Sequence, residues 1–218
     1  MAERGQTRSN GGWDRFQAIT HLANHWNRPI GPRSFYWYLT FETSNDLKTL
    51  AARYQKAIQF PYYDLVPLHS LHITLDRVAF EDAADSHMIE TVRVAAQREC
   101  KRLTPFSIEI QSVSGTPGAI GFDVHPDNAV RDIRDRLRNA TLSVNRAAPT
   151  RGPEFDAHIA IAYCNSDGVS TTETIEAIRS LGPMRPVVVT MSKASLVLLE
   201  RRTRSYHWKT ISQVTFSS

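Results

Sequence analysis

The sequence predicts an α+β fold of two lobes, in which two antiparallel-rich sheets face a central cleft and helices lie outside. Strand, helix and strand patterns recur in each half of the chain, and each half has one apolar strand carrying a histidine, His72 in the first and His158 in the second. The 218 residues, 41% of them hydrophobic, suffice for one substantial domain and are short for two independent ones. That domain is expected over 13–218, after a polar, glycine-containing segment at 1–12 expected to be disordered. No repeat is detectable by residue identity, so the duplication is one of pattern.

Taken in order, Phe16, Ile19 and Leu22 fall at helical spacing and predict a short helix from about Trp13 to Trp26, ending near Arg28-Pro29. On such a helix His21 and His25 would share a face, but no third ligand or glutamate base accompanies them, which favours a packing or surface role over a metal site. The alternating aromatic run from Ser34 to Phe41 predicts a strand with Tyr36 and Tyr38 on one face and Phe35, Trp37, Leu39 and Phe41 on the other. A helix follows over Asp46 to Ile58, then the first histidine strand at Leu71 to Leu75, then a helix over 84–102. Phe106 to Val113 and Ala119 to Val124 read as a strand pair joined across Gly115-Thr116-Pro117-Gly118.

Pro126 opens a further helix whose buried stripe is Val130, Ile133, Leu137 and Leu142. Arg131, Arg134 and Arg138 alternate there with Asp132 and Asp135, a pattern expected of a solvated face. Asn145 to Asp156 is a loop into the second histidine strand. A helix over Thr171 to Leu181 and strands at Val187 to Thr190, Leu196 to Leu199 and Tyr206 to Ile211 complete the chain, the last two flanking the basic turn Arg201 to Arg204.

The histidine strands carry the chemistry. Alternation puts His72 and Thr74 on one face and Leu71, Ile73 and Leu75 on the other; it puts His158 beside Ala160, with Ile159, Ile161 and Tyr163 packed behind. Two imidazoles meeting across one cleft can supply a general base and a general acid near neutral pH. Tyr36 and Tyr38, on the less apolar face of their strand, are candidates for stacking on a flat ring in the cleft. His69 is expected at the strand entrance; His125 and His207 have no assigned role.

Lysine plus arginine total 26 against 22 acidic residues, a net charge of +4, and only five of the basic residues are lysines. This balance suits a phosphate-bearing ligand and is too weak for a duplex DNA binder. Cys100 and Cys164 are too few for a disulfide framework or a cysteine metal site and read as buried, idle thiols. With no apolar run of membrane-spanning length and a polar N-terminus, the expectation is a soluble cytoplasmic protein without a membrane partner.

Several segments together resemble the two-histidine (2H) phosphoesterase superfamily, whose members carry one His-x-Thr or His-x-Ser in each lobe. They are Asn24-His25-Trp26 with Arg28-Pro29, the run Phe35 to Phe41, Leu71-His72-Ile73-Thr74, the run His158 to Gly168, and Arg202 to Trp208. The nearest likeness is to bacterial proteins of the 2'-5' RNA ligase family, of an actinobacterial type, over roughly residues 20 to 215. The resemblance implies the same bilobal fold and a metal-independent phosphodiesterase without cofactor. It also implies a small nucleotide or RNA-end substrate that is 2',3'-cyclic, 2'-5' linked or a related small cyclic phosphate. His72 and His158 would be catalytic; Thr74 would hold the phosphate, and Tyr206 matches a C-terminal tyrosine of the family.

One position departs from the pattern: residue 160 is alanine where the superfamily has threonine or serine. The missing hydroxyl leaves two other readings open, a nucleotide-binding module that has lost turnover and an enzyme of small-molecule biosynthesis that uses the histidines for proton transfer alone.

Overall fold

Two fully antiparallel sheets organise the protein, a computed structural model that describes residues 11–152 and 154–216. The expectations for residues 1–10, Pro153 and 217–218 lie outside the described residues. The elements run α1 (Gly11–Gln17), β1 (Ser34–Thr40), α2 (Asn45–Ala57), β2 (Tyr63–Leu65), β3 (His72–Phe80), α3 (Ser86–Cys100), β4 (Phe106–Thr116) and β5 (Ala119–His125). They continue with α4 (Asp127–Val144), β6 (His158–Cys164), α5 (Thr172–Ser180), β7 (Val187–Met191), β8 (Lys193–Arg202) and β9 (Ser205–Thr215). One sheet has the order β3-β1-β8-β9 and the other β2-β6-β5-β4-β7. The lobes are therefore not the two halves of the sequence. The C-terminal hairpin β8-β9 completes the sheet of β1 and β3, while β2 from the N-terminal half edges the other.

Each sheet turns one face to a continuous apolar core and the other to the cleft. Trp37, Leu39, Ile73 and Leu75 of the first sheet pack with Phe122, Ile159 and Ile161 of the second in that core. Helices α3 and α4 close on the first sheet through β9 and β3, and α2 on the second through β6 and β7. Tyr36, Tyr38 and Val197 form a separate cluster on the opposite face, backed by Leu199 and Trp208. β1 is buried along its whole length because both of its faces are covered.

The N-terminal helix is shorter than its periodicity predicts. It begins at Gly11, inside the segment expected to be disordered, and ends at Gln17. Beyond it the chain is extended: Leu22 N donates to Val169 O at 2.7 Å and His21 bridges Ser170, so Leu22 is buried by a strand-like contact rather than by a helical face. His21 and His25 accordingly do not share a helix face.

Register irregularities in β3 and β6 decide which side chains reach the cleft. Along β1, Tyr38 pairs with Thr74 and Trp37 with Asp76, so Leu75 is an extra residue; Tyr36 pairs with Arg77 and Phe35 with Ala79, so Val78 is another. Each extra residue inverts the alternation beyond it. Asp76 therefore goes to the buried side with Trp37, and Arg77 joins Tyr36, Tyr38 and Thr74 on the cleft side. In β6, Ala160 pairs with Gly121 and Ala162 with Ile120, leaving Ile161 as the extra residue. Tyr163 is thus turned to the cleft, against the strict alternation that would have packed it behind.

The arginines of α4 also depart from expectation. Arg134 is 3% exposed, and Arg138 Nε donates to Oδ2 of the buried Asp76 at 2.6 Å. Asp76 Oδ1 accepts from Arg151 N at 2.7 Å, Arg134 donates to Gly152 O at 2.6 Å, and Arg138 reaches Arg151 O. Arg134 and Arg138, read as part of a solvated face, instead pin the chain at Arg151 and Gly152 against β3. Among the described residues no helix is long and apolar enough to cross a membrane.

Candidate active site

His72 and His158 are each the first residue of their strand, and both line one cavity of about 490 Å³ between the sheets, with Thr74, Ala160, Tyr36, Tyr38 and Tyr206. Their settings match. His72 Nδ1 lies 2.9 Å from Ser70 O and His158 Nδ1 lies 2.8 Å from Asp156 O, in each case the carbonyl two residues earlier. A carbonyl only accepts, so Nδ1 carries the proton in both rings and Nε2 is left for the cavity.

Their surroundings differ. His72 is stacked on Tyr38 with ring centres 4.2 Å apart and planes 15° apart, and meets Trp208 edge-on at 4.7 Å. Burial there, and to a smaller extent the neighbouring His158, lower its pKa from the ordinary 6.5 to about 4, against the opposing effect of the Ser70 carbonyl. His72 is therefore neutral near pH 7. His158 stands exposed at the cleft mouth. Tyr38, with one ring face against His72 and only 2% of its surface exposed, backs that imidazole, and burial raises its phenol pKa. Tyr36 accepts a hydrogen bond from Arg77 Nε at 2.7 Å.

A third histidine belongs to the site. His25 lines the cavity from the segment before β1, stacks on Tyr163 at 4.2 Å, and its Nε2 is 2.9 Å from the Tyr206 hydroxyl. Arg28 donates to the same hydroxyl at 2.7 Å, which leaves the phenol proton for the imidazole. Burial first, then Arg28 and Arg201, lower the His25 pKa to about 4. Arg201 in turn donates to Trp26 O at 2.7 Å and to Pro29 O at 2.9 Å, so the strand β8 holds this segment in place. Arg28, Arg77, Arg151 and Arg201 together give the cavity a positive lining.

Sequence reasoning missed His25, Arg77 and Tyr163. His25 lies in the Asn24-His25-Trp26 segment that resembles the superfamily, but helical periodicity gives it no cleft to face; Arg77 and Tyr163 lie beyond register shifts that alternation does not reveal. Cys100 and Cys164 are buried, with the Cys100 thiol pushed up to about 11 by burial. Among the described residues no group of three or more histidine, cysteine or acidic side chains is arranged to hold a metal.

The neutral state of His72 and His25 has a cost in acid. The unfolded chain binds a proton on each near pH 6.5, whereas the folded chain resists until about pH 4, so stability is complete above about 6.5 and falls as pH drops toward 4. At pH 5 the loss is up to about 2 kcal/mol for the buried His72 and smaller for the half-buried His25, whose charge solvent screens. Urea unfolding of the wild type and of His25→Gln at pH 7 and 5 checks this. The wild type is expected to lose more stability than the variant; equal losses contradict it.

The family model described as the 2'-5' RNA ligase superfamily matches residues 37–203. No curated protein matches the chain in sequence. Among solved structures, TT0787 of Thermus thermophilus is similar with a TM-score of 0.65 at 15% identity, covering 84% of this chain and 97% of that one. E. coli LigT complexed with 3'-AMP gives 0.62 at 10% identity over 86% and 99%. The same protein complexed with NADP+ gives 0.62 at 13% over 86% and 100%. At these identities the likeness is one of fold.

Proposed function

The chain belongs to the 2'-5' RNA ligase superfamily, and on that premise we propose that it is a cytoplasmic, metal-independent phosphodiesterase of 2',3'-cyclic or 2'-5'-linked ribonucleotides, or of a related small cyclic phosphate. The observation that carries this reading is the matched pair His72 and His158, each with Nδ1 fixed on a backbone carbonyl, in one arginine-lined cavity. LigT complexed with 3'-AMP and with NADP+ supports a nucleotide ligand.

In the proposed reaction the neutral His72 takes the proton of the attacking oxygen as its bond to phosphorus forms. His158, protonated, gives a proton to the leaving sugar oxygen as the second bond breaks. The negative charge developing on the phosphoryl oxygens meets imidazolium, Thr74 and the cavity arginines, of which Arg77 is held in place by Tyr36. Tyr206, held by His25 and Arg28, borders the substrate. The test is incubation with adenylyl-(2'-5')-adenosine and 2',3'-cyclic AMP in EDTA with product chromatography. Turnover of either supports the reading; binding of both without turnover gives the binding module, and neither binding nor turnover points to a substrate without a phosphodiester.

Ala160 lies two residues past His158 and before the register shift, so it faces the cavity as Thr74 does. The corner is tight: a Cβ on Gly121 opposite would stand 2.4 Å from Ile159 O and 3.2 Å from Ala160 Cα. Serine adds one atom, pointed into the cavity. Ala160→Ser is expected to raise kcat/KM on 2',3'-cyclic AMP up to about tenfold, the worth of one hydrogen bond to a charged acceptor. No gain in a folded variant removes the hydroxyl at 160 from the account.

A further inference from the structure

Tyr206 stands at the start of β9, and two fixed groups meet at its hydroxyl. Trp208, two residues further along the same strand face, meets His72 edge-on at 4.7 Å. Tyr206 therefore lies about 7 Å along the strand from Trp208, within the span of one sugar from a phosphate at His72. Its oxygen accepts from Arg28 at 2.7 Å and is 2.9 Å from His25 Nε2. The His25 ring is clamped. Tyr163 stacks on it at 4.2 Å, Trp26 meets it edge-on at 4.7 Å, and its backbone N donates to Cys164 O at 2.8 Å. The residues before it are tied down as well, Ala23 N to Pro117 O at 2.9 Å and Asn24 N to Asp167 Oδ1 at 2.8 Å.

A phenol is the better donor of this pair and an imidazole nitrogen the better acceptor. With Arg28 already donating to the phenol oxygen, the phenol proton goes to Nε2 and the imidazole proton sits on Nδ1. Burial beside Arg28 and Arg201 keeps His25 neutral, as this arrangement needs.

We propose that Tyr206 is a specificity-determining residue that accepts a hydrogen bond from the free ribose hydroxyl beside the esterified one, and that His25 is the positioning residue that holds it in that role; this rests on the function proposed above. With its proton committed to His25, the phenol offers the cavity a lone pair and no donor. A phosphate oxygen has only lone pairs and is repelled there, so its place is with the histidines and the arginines. A ribose hydroxyl supplies the proton that the phenol oxygen can take, and a 2'-esterified nucleotide carries one on its 3' carbon.

The test is calorimetric binding of adenosine 2'-monophosphate and of 3'-deoxyadenosine 2'-monophosphate. The wild type is expected to prefer the first by about threefold to tenfold, the net worth of one hydrogen bond. Tyr206→Phe should bind both alike. So should His25→Ala, because a phenol freed from its acceptor turns its proton to the phosphate. A residue that only supports the fold would weaken both ligands equally and leave their ratio unchanged. A ratio kept in either variant, or absent from the wild type, therefore overturns the proposal. Nitrogen-15 NMR of the free protein reads the same assignment without ligand: a proton is expected on Nδ1 of His25 and none on Nε2, and the opposite tautomer overturns it. A preference without turnover of any diester strikes the phosphodiesterase reading and leaves this one standing, whereas turnover without a preference overturns this one alone. A wild type that binds neither nucleotide overturns both.

Discussion

Replacing either His72 or His158 with alanine is expected to lower turnover of a 2'-5'-linked dinucleotide by at least about a thousandfold, and replacing both is expected to lower it little further. The reason is that the base and the acid serve one transition state, so losing one leaves the other without a partner step. His72 works only as neutral imidazole, and burial keeps it so down to about pH 4. The acid side of the kcat/KM profile should therefore be retained to low pH and lost as pH falls through the His72 value, a limb that His72→Ala removes. The fold should survive both changes, since His158 is exposed and His72 packs on the small cleft-face cluster of Tyr38 and Trp208 rather than on the main core. Activity that persists in either variant, with unchanged circular dichroism, would show that the proton transfers run through other groups.

The largest effect on stability is expected at Asp76. Its carboxylate is 1% exposed and accepts from Arg138 Nε at 2.6 Å, Arg151 N at 2.7 Å and Arg77 N at 2.9 Å. Asp76→Ala leaves the largely buried Arg138 guanidinium without its counter-charge, which costs about 3–5 kcal/mol. The double variant Asp76→Leu with Arg138→Met, which removes both charges, should recover a large part of that loss. Urea unfolding with an unchanged slope measures it. A cost below about 1 kcal/mol for Asp76→Ala, the range of an exposed pair, contradicts the account. Because the same carboxylate anchors the Arg151 amide, faster exchange of the Arg151 and Gly152 amides should accompany the loss.

Much of the fold was legible because periodicity reports burial. The aromatic alternation of β1 and the stripe of α2 gave those elements to within a residue or so, and the two histidine strands were recognisable from their apolar flanks. What escaped has physical reasons. A three-residue strand such as Tyr63–Leu65 is too short to show a period. The strand of His72 was cut at Leu75 because the register shifts at Leu75 and Val78 scramble the alternation that would have extended it to Phe80. The same shifts hid Arg77 from the site, and the one at Ile161 hid Tyr163. Phe16, Ile19 and Leu22 mimic a helical face, yet the chain leaves the helix at Gln17 because partners at Val169 and Ser170, some 150 residues away, offer strand-like pairing. Distance in sequence likewise made the arginines of α4 look solvated, since Asp76 lies 62 residues from Arg138.

In the proposed reaction one phosphate lies between the two imidazoles, held by Nε2 of each. Nitrogen-15 NMR of the imidazoles tests it most directly, first in the free protein and then during titration with adenosine 2'-monophosphate. Both rings are predicted to keep a proton on Nδ1 when free, and the Nε2 signals of His72 and His158 to move together, with a single midpoint, as the nucleotide binds. A response at one ring alone, or movement of neither while the nucleotide binds through the arginines, would contradict the account.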